Sequence, residues 1–148
     1  MDQMPLRVLC VDDNRDHADS EAMLLELHWC EVEVAYDGPS ALEAALRFGP
    51  DVCLIDFNMP EMDGCEVARR LRAWRRGQPM YLIAVTARGS DAAREKTANA
   101  GFNLHLVKPV DWEELSLKLS ELEQSFGRAK RHSGSHRFTG DSRRWAVR

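Results

Sequence analysis

The stretch "LRVLCVDDN", residues 6–14, runs a nearly continuous apolar strand pattern into two adjacent carboxylates, Asp12 and Asp13. Two unit charges about 4 Å apart repel by roughly 4 kcal/mol at an effective dielectric near 20, so the pair calls for a cation or hydrogen bonds close by. Capping of the following helix is the plainer alternative, since Asp and Asn lead among N-cap residues and their charge suits the helix dipole.

Working outward, similar apolar runs recur at 32–36 ("VEVAY"), 51–56 ("DVCLID"), 80–86 ("MYLIAVT") and 104–107 ("LHLV"). Between them lie helical spacings: Ala18, Met23, Leu24 and Leu27; Ala41, Leu42, Ala45 and Leu46; Val67, Ala68, Leu71 and Trp74. A weakly apolar, Ala-rich segment follows at about 90–100, and a last helix opens at Asp111 with Glu114 in capping-box register and continues through Trp112, Leu115, Leu119 and Leu122. Regular βα alternation with apolar strands predicts a doubly wound α/β domain: a five-stranded parallel sheet with helices on both faces. Ligand sites in such sheets lie at the carboxyl ends of the strands. Those ends carry Asp12 and Asp13, Asp56, Thr86, and Lys108 followed by Pro109. Three carboxylates, a hydroxyl and an ammonium at one mouth suit Mg²⁺ and a phosphoryl group.

The chain has 148 residues, 44% hydrophobic and 30% charged, enough for one globular domain with an extension. It has no signal-like start and no run of apolar residues long enough to span a bilayer, so a cytoplasmic protein without membrane association is expected. Cys10, Cys30, Cys53 and Cys65 show no CxxC pairing, which argues against a zinc site or a disulfide framework. Charge divides the chain into a domain over 1–126, with a net of −10, and a basic, flexible tail over 127–148, with seven Lys or Arg against Asp141. The acidic body makes nucleic acid an unfavourable partner. Trp29 and Trp74 are expected at the rim of the core, Trp112 as an early contact of the last helix, and His17 and His28 on solvated helix faces.

The motifs "VDDN", "LIDFNMPEMDG", "AVTA" and "LVKP" occur in the order and spacing of the receiver domain of response regulators, the CheY-like family of two-component signalling, and the chain resembles that family over residues 6–125. The resemblance implies the flavodoxin-like strand order 2-1-3-4-5 and a phosphorylation-activated switch. It implies that Asp56 accepts a phosphoryl group from a histidine kinase or a histidine phosphotransfer protein, so that the chain catalyses its own Mg²⁺-dependent phosphotransfer and autodephosphorylation without being an enzyme in its own right. Asp13 and Asp56 would ligate Mg²⁺ with the Asn58 carbonyl, and Asp12 would act mainly through a bound water. Lys108, the Thr86 hydroxyl and the Ala87 N–H would take the phosphoryl oxygens. Met59 and Pro60 would shape the loop beneath Asp56, Gly64 would permit close backbone approach or a positive φ, and Pro109 would follow a cis bond.

The resemblance further implies a switch in which Thr86 moves and the ring three residues before Lys108 turns inward. Here that ring is His105, where Tyr or Phe is usual: either a charged imidazole resists the inward position, weakening partner binding as pH falls through roughly 7 to 6, or His105 stays outside as a solvated strand residue and the switch works through Thr86 alone. A downstream effector protein or a second copy would dock on the fourth helix, fifth strand and fifth helix. A phosphorelay intermediate, or a receiver fragment of a larger hybrid kinase or regulator, is the alternative. A haloacid dehalogenase-type phosphatase lacks support because "DFNMP" replaces D-x-D-x-T, and a flavin carrier because "VDDNRD" would repel the flavin phosphate. A receiver used only as an adaptor is not favoured, since the key acids, Thr86 and Lys108 are all present.

Overall fold

The computed structural model describes residues 4–75 and 79–132, with side chains described to residue 126. Five strands, β1 (Arg7–Val11), β2 (Glu31–Ala35), β3 (Val52–Asp56), β4 (Tyr81–Thr86) and β5 (Leu104–Val107), alternate with α1 (Arg15–Leu27), α2 (Gly38–Phe48), α3 (Gly64–Trp74), α4 (Asp91–Ala100) and α5 (Trp112–His132). The sheet is parallel in the order β2-β1-β3-β4-β5, as the alternation and the resemblance led us to expect. Alternate residues of the strands feed two cores. Leu9, Val11, Cys53, Ile55, Leu82 and Ala84 pack under α2, α3 and α4, while Val8, Cys10, Leu54, Ile83, Val85 and Leu106 pack under α1 and α5. Each fully buried aliphatic side chain contributes about 1.5–3 kcal/mol, so the central strands anchor the domain.

Each helix starts with a short polar side chain placed soon after a strand. Asn14, Asp37, Asp63 and Ser90 accept from the backbone N–H of His17, Ser40, Glu66 and Ala93 respectively, and Asp111 caps α5 through the N–H groups of Glu113 and Glu114. A cap of this kind is worth about 1 kcal/mol and fixes where the chain turns from strand to helix. The loops at the carboxyl edge are thereby pinned at their helical ends.

Three expectations are corrected on α1 and just past its end. Its buried stripe is Ala18, Ala22 and Leu25, whereas Met23 (64% exposed), Leu24 and Leu27 (76%) face outward. Small residues let the helix lie close on the sheet, and that closeness outweighs the pull of the bulkier side chains. Trp29 is not at the rim of the core: it is 83% exposed, on a backbone with φ of 68° just past the helix end. His28 is half-buried rather than solvated, its ring set edge-on to Trp112 at 5.9 Å. Trp74 and Trp112 are partly buried against the two cores, as expected. The helix α5 continues beyond residue 126 to His132, and residues 133–148 of the basic tail lie outside the described residues.

Candidate functional site

Register decides which residues meet. Val11 pairs with Ile55, Asp56 with Val85, and Thr86 with Val107, so the strands end along one edge. The ladder then runs one residue further: Asp12 N–H donates to the Ala35 carbonyl (3.1 Å), Phe57 N–H to Val85 (2.9 Å) and Lys108 N–H to Thr86 (2.7 Å). Sheet hydrogen bonds thus hold Asp12, Asp56 and Lys108 at fixed positions on the edge. This is why side chains far apart in sequence converge.

Carboxylate oxygens of Asp12, Asp13 and Asp56 lie within 4.8 Å of one another. Asp12 (3% exposed) and Asp56 (7%) are buried, and Asp13 is exposed. The Lys108 ammonium sits 3.3 Å from Asp56 Oδ1. Burial, and then the Asp12 charge, push the Asp56 carboxyl above the usual carboxylate range; Lys108 pulls it back, and Asp13 adds a smaller upward push. One cation therefore faces three acids, and the remaining negative charge is what a hard divalent ion neutralises. The all-oxygen donor set fits Mg²⁺.

The loops around this cluster follow the sequence. Gly64 opens α3 against the back of Asp56: a Cβ there would stand 2.6 Å from the Asp56 carbonyl oxygen, so close approach, and not a positive φ, is what requires glycine. Met59 is buried in the core beneath α2 and α3, Asn58 and Pro60 are exposed on the loop, and the Lys108–Pro109 bond is cis. Thr86 is fully buried and its hydroxyl accepts from the Arg88 N–H at 3.1 Å, while Ala87 is exposed. His105 is half-buried and bonded at both nitrogens: Nε2 lies 2.9 Å from the Arg88 carbonyl and Nδ1 lies 3.0 Å from Thr97 Oγ1. That ring ties β5 to α4 and to the loop after β4.

Sequence reasoning missed two neighbours of the cluster. His17, expected on a solvated face, places Nδ1 2.5 Å from Asp12 Oδ2. Glu21, one turn further along α1, lines a cavity of about 220 Å³ with His17, Leu24, Pro109 and Trp112. Its carboxyl is pushed up to about 7, by burial first and by the Asp12 and Asp56 charges against the opposing pull of His17 and Lys108. The available signal was spacing: His17 and Glu21 stand one helical turn apart and share the helix face of Ala18 and Ala22 more nearly than that of Met23.

Comparison with known proteins agrees with this geometry. The response regulator receiver domain family matches residues 8–120. The response regulator MprA of a Mycobacterium species is 37% identical over 119 residues, which cover 80% of this chain and 51% of that protein. The chain thus spans about half the length of the curated relatives it matches. Among solved structures, the receiver domain of a sensor histidine kinase of Pseudomonas aeruginosa, with magnesium coordinated in its active-site cleft, is 30% identical with a TM-score of 0.73, over 82% of this chain and 99% of that one. A Saccharomyces cerevisiae complex of the histidine phosphotransfer protein Ypd1 with the receiver domain of the response regulator Ssk1 matches with a TM-score of 0.77 at 25% identity, over 83% of this chain and 92% of that one. No helix among the described residues is long and apolar enough to cross a membrane. The sequence match over most of the chain, the CheY-like topology and the acid cluster at the strand ends together place this chain in the response regulator receiver family of two-component signalling.

Proposed function

We propose that this receiver is a working phosphorylation switch whose acceptor is Asp56. The observation that carries the reading is the convergence of Asp12, Asp13 and Asp56 with Lys108 on one edge of the sheet. An Asp56 carboxylate oxygen attacks the phosphorus of a phosphohistidine on a kinase or phosphotransfer protein; the P–N bond breaks and the imidazole leaves with its electron pair. Asp13, Asp56 and the Asn58 carbonyl would hold Mg²⁺, with Asp12 acting through water, and the ion would supply positive charge against the transferring group. Lys108 moves from Asp56 to a phosphoryl oxygen, and the Thr86 hydroxyl and Ala87 N–H donate to the others. Water later attacks the same phosphorus; the P–O bond to Asp56 breaks, inorganic phosphate leaves and the carboxylate returns.

The face of α4, β5 and α5 then carries the signal to an effector protein or a second copy, because His105 and Thr97 join that face to the loop beside Thr86. Mg²⁺-dependent labelling by acetyl phosphate, followed by mass mapping, tests the assignment. Wild type takes one phosphoryl group on the peptide holding Asp56, and Asp56→Asn takes none there. Equal labelling of the variant at that site, or no labelling of wild type, defeats the reading.

A further inference from the structure

The acid cluster contains one contact that the reading above does not use. Asp12 is almost fully buried, and both of its carboxylate oxygens have donors from a single turn of chain: Asn14 N–H to Oδ1 at 3.0 Å, and His17 Nδ1 to Oδ2 at 2.5 Å. The His17 backbone N–H in turn donates to Asn14 Oδ1 at 3.1 Å, which starts α1. Asp12, Asn14 and His17 therefore close a ring of hydrogen bonds in which the helix cap sets the position of the imidazole, and the imidazole sets the rotation of the carboxylate. His17 also lines the cavity between α1 and the corner after β5, with Glu21, Leu24, Pro109 and Trp112.

We infer that His17 is a positioning residue for the metal centre, orienting Asp12 through Nδ1–H so that this carboxylate presents its free lone pairs to the divalent ion's water. The inference rests on reading Asp12, Asp13 and Asp56 as the Mg²⁺ site. A carboxylate beside two others turns away from them unless something holds it, because rotation relieves like-charge repulsion. His17 supplies that restraint through Nδ1. Outer hydrogen-bond partners of metal ligands commonly change metal affinity by about 10–100-fold when removed. With both Asp12 oxygens already engaged, a water-mediated role for Asp12 follows more readily than direct ligation.

The test is a MgCl₂ titration at pH 8 followed by amide chemical shifts, with no phosphodonor present, alongside the metal-free melting temperature of each variant. His17→Ala should weaken Mg²⁺ binding by about tenfold. His17→Asn, whose amide nitrogen falls near the place of Nδ1, should stay within about threefold of wild type, below that range. A merely structural role for His17 would lower the melting temperature of both variants without separating their Mg²⁺ affinities. Unchanged affinity in His17→Ala, or equal loss in both variants, overturns the inference while leaving the metal centre standing. Asp13→Asn is the control for the centre itself: if wild type shows no Mg²⁺ response, or Asp13→Asn responds like wild type, the metal-site reading fails and takes this inference with it.

Discussion

The two ends of the sheet are built on opposite electrostatic rules. At the amino end, Asp51 (5% exposed) accepts the Arg7 N–H at 3.0 Å, and the Arg7 guanidinium reaches the Phe48 carbonyl at 2.7 Å. Arg72 donates to three oxygens there, the carbonyls of Gly101 (2.9 Å) and Met80 (2.6 Å) and the Asn103 side chain (2.6 Å), and Arg75 reaches the Pro50 carbonyl at 3.2 Å. At the carboxyl end, Asp12, Asp13 and Asp56 crowd one another with Lys108 and His17 beside them. The first end satisfies its charges within the protein, and its polar groups act as fasteners. The second keeps negative charge in surplus, which costs stability in the metal-free protein and is what a divalent cation neutralises.

The contrast is broken most severely at Arg72. Arg72→Ala removes three charge-assisted hydrogen bonds at once, and leaves the Met80 and Gly101 carbonyls without that partner at the junction of α3, β4 and the turn before β5. A loss of about 3 kcal/mol is expected in urea denaturation, because hydrogen bonds to charged groups are worth about 1.5–3 kcal/mol and partial solvation of the freed oxygens offsets part of the total. A change below about 0.5 kcal/mol, the ordinary surface level, would show that this end is not fastened by its arginines.

At the other end the sign reverses with pH. The Glu21 carboxyl titrates at about 7 in the fold against an ordinary 4.5, so between those values the folded state holds a proton that the unfolded chain releases. Its contribution is therefore most favourable below 4.5 and is lost as pH rises through 7. The raised carboxyl of Asp56 pulls in the same direction. Glu21→Gln should flatten the decline in metal-free stability between pH 5 and 8, and gain on the order of 2 kcal/mol at pH 8. Parallel stability–pH curves for the two proteins would remove Glu21 from the account.

A smaller effect of the same sign is expected at Asp13, which is exposed and so better screened. Asp13→Asn should stabilise the metal-free protein by about 1 kcal/mol and reduce the gain in melting temperature produced by millimolar Mg²⁺. Stabilisation without any loss of the Mg²⁺ gain would make Asp13 a source of repulsion but not a ligand.

Most of this was legible in the sequence where strong local rules operate. Strand runs, the βα alternation and the strand-end residues Asp12, Asp56, Thr86 and Lys108 were readable because period and topology leave few alternatives, and register then forces those ends together. The stripe of α1 was not readable from hydrophobic bulk, since Ala18 and Ala22 face the sheet and Met23 and Leu27 face outward. His17 was missed for another reason: its ring is partly exposed on α1, and only the fold brings Nδ1 against Asp12. Side-chain partners such as Thr97 and the Arg88 carbonyl lie in a weakly apolar helix and a loop, where neither period nor motif singles them out.

The smallest expected effect concerns His105, which couples the site to the α4 face. From sequence, one of two expectations was that a charged imidazole resists an inward position, with partner binding weakening as pH falls through roughly 7 to 6. The surroundings of the ring argue otherwise. Nε2 donates to the Arg88 carbonyl in either protonation form, and the partner of Nδ1 is a hydroxyl. Thr97 Oγ1 can donate to a bare Nδ1, or can accept from a protonated one while donating to the Arg94 carbonyl, which lies at 3.0 Å. A rotating hydroxyl serves both forms, so the tie between β5 and α4 should persist across that pH range. Beryllofluoride-activated wild type should then bind its partner with an affinity that changes by less than about twofold from pH 7 to 6, whereas His105→Phe, which keeps the ring and loses both bonds, should speed amide exchange in the segment from Arg88 to Thr97 by about fivefold, equivalent to one net hydrogen bond. A steep fall in wild-type binding that His105→Tyr abolishes would restore the pH-gated switch and show that the hydroxyl does not compensate.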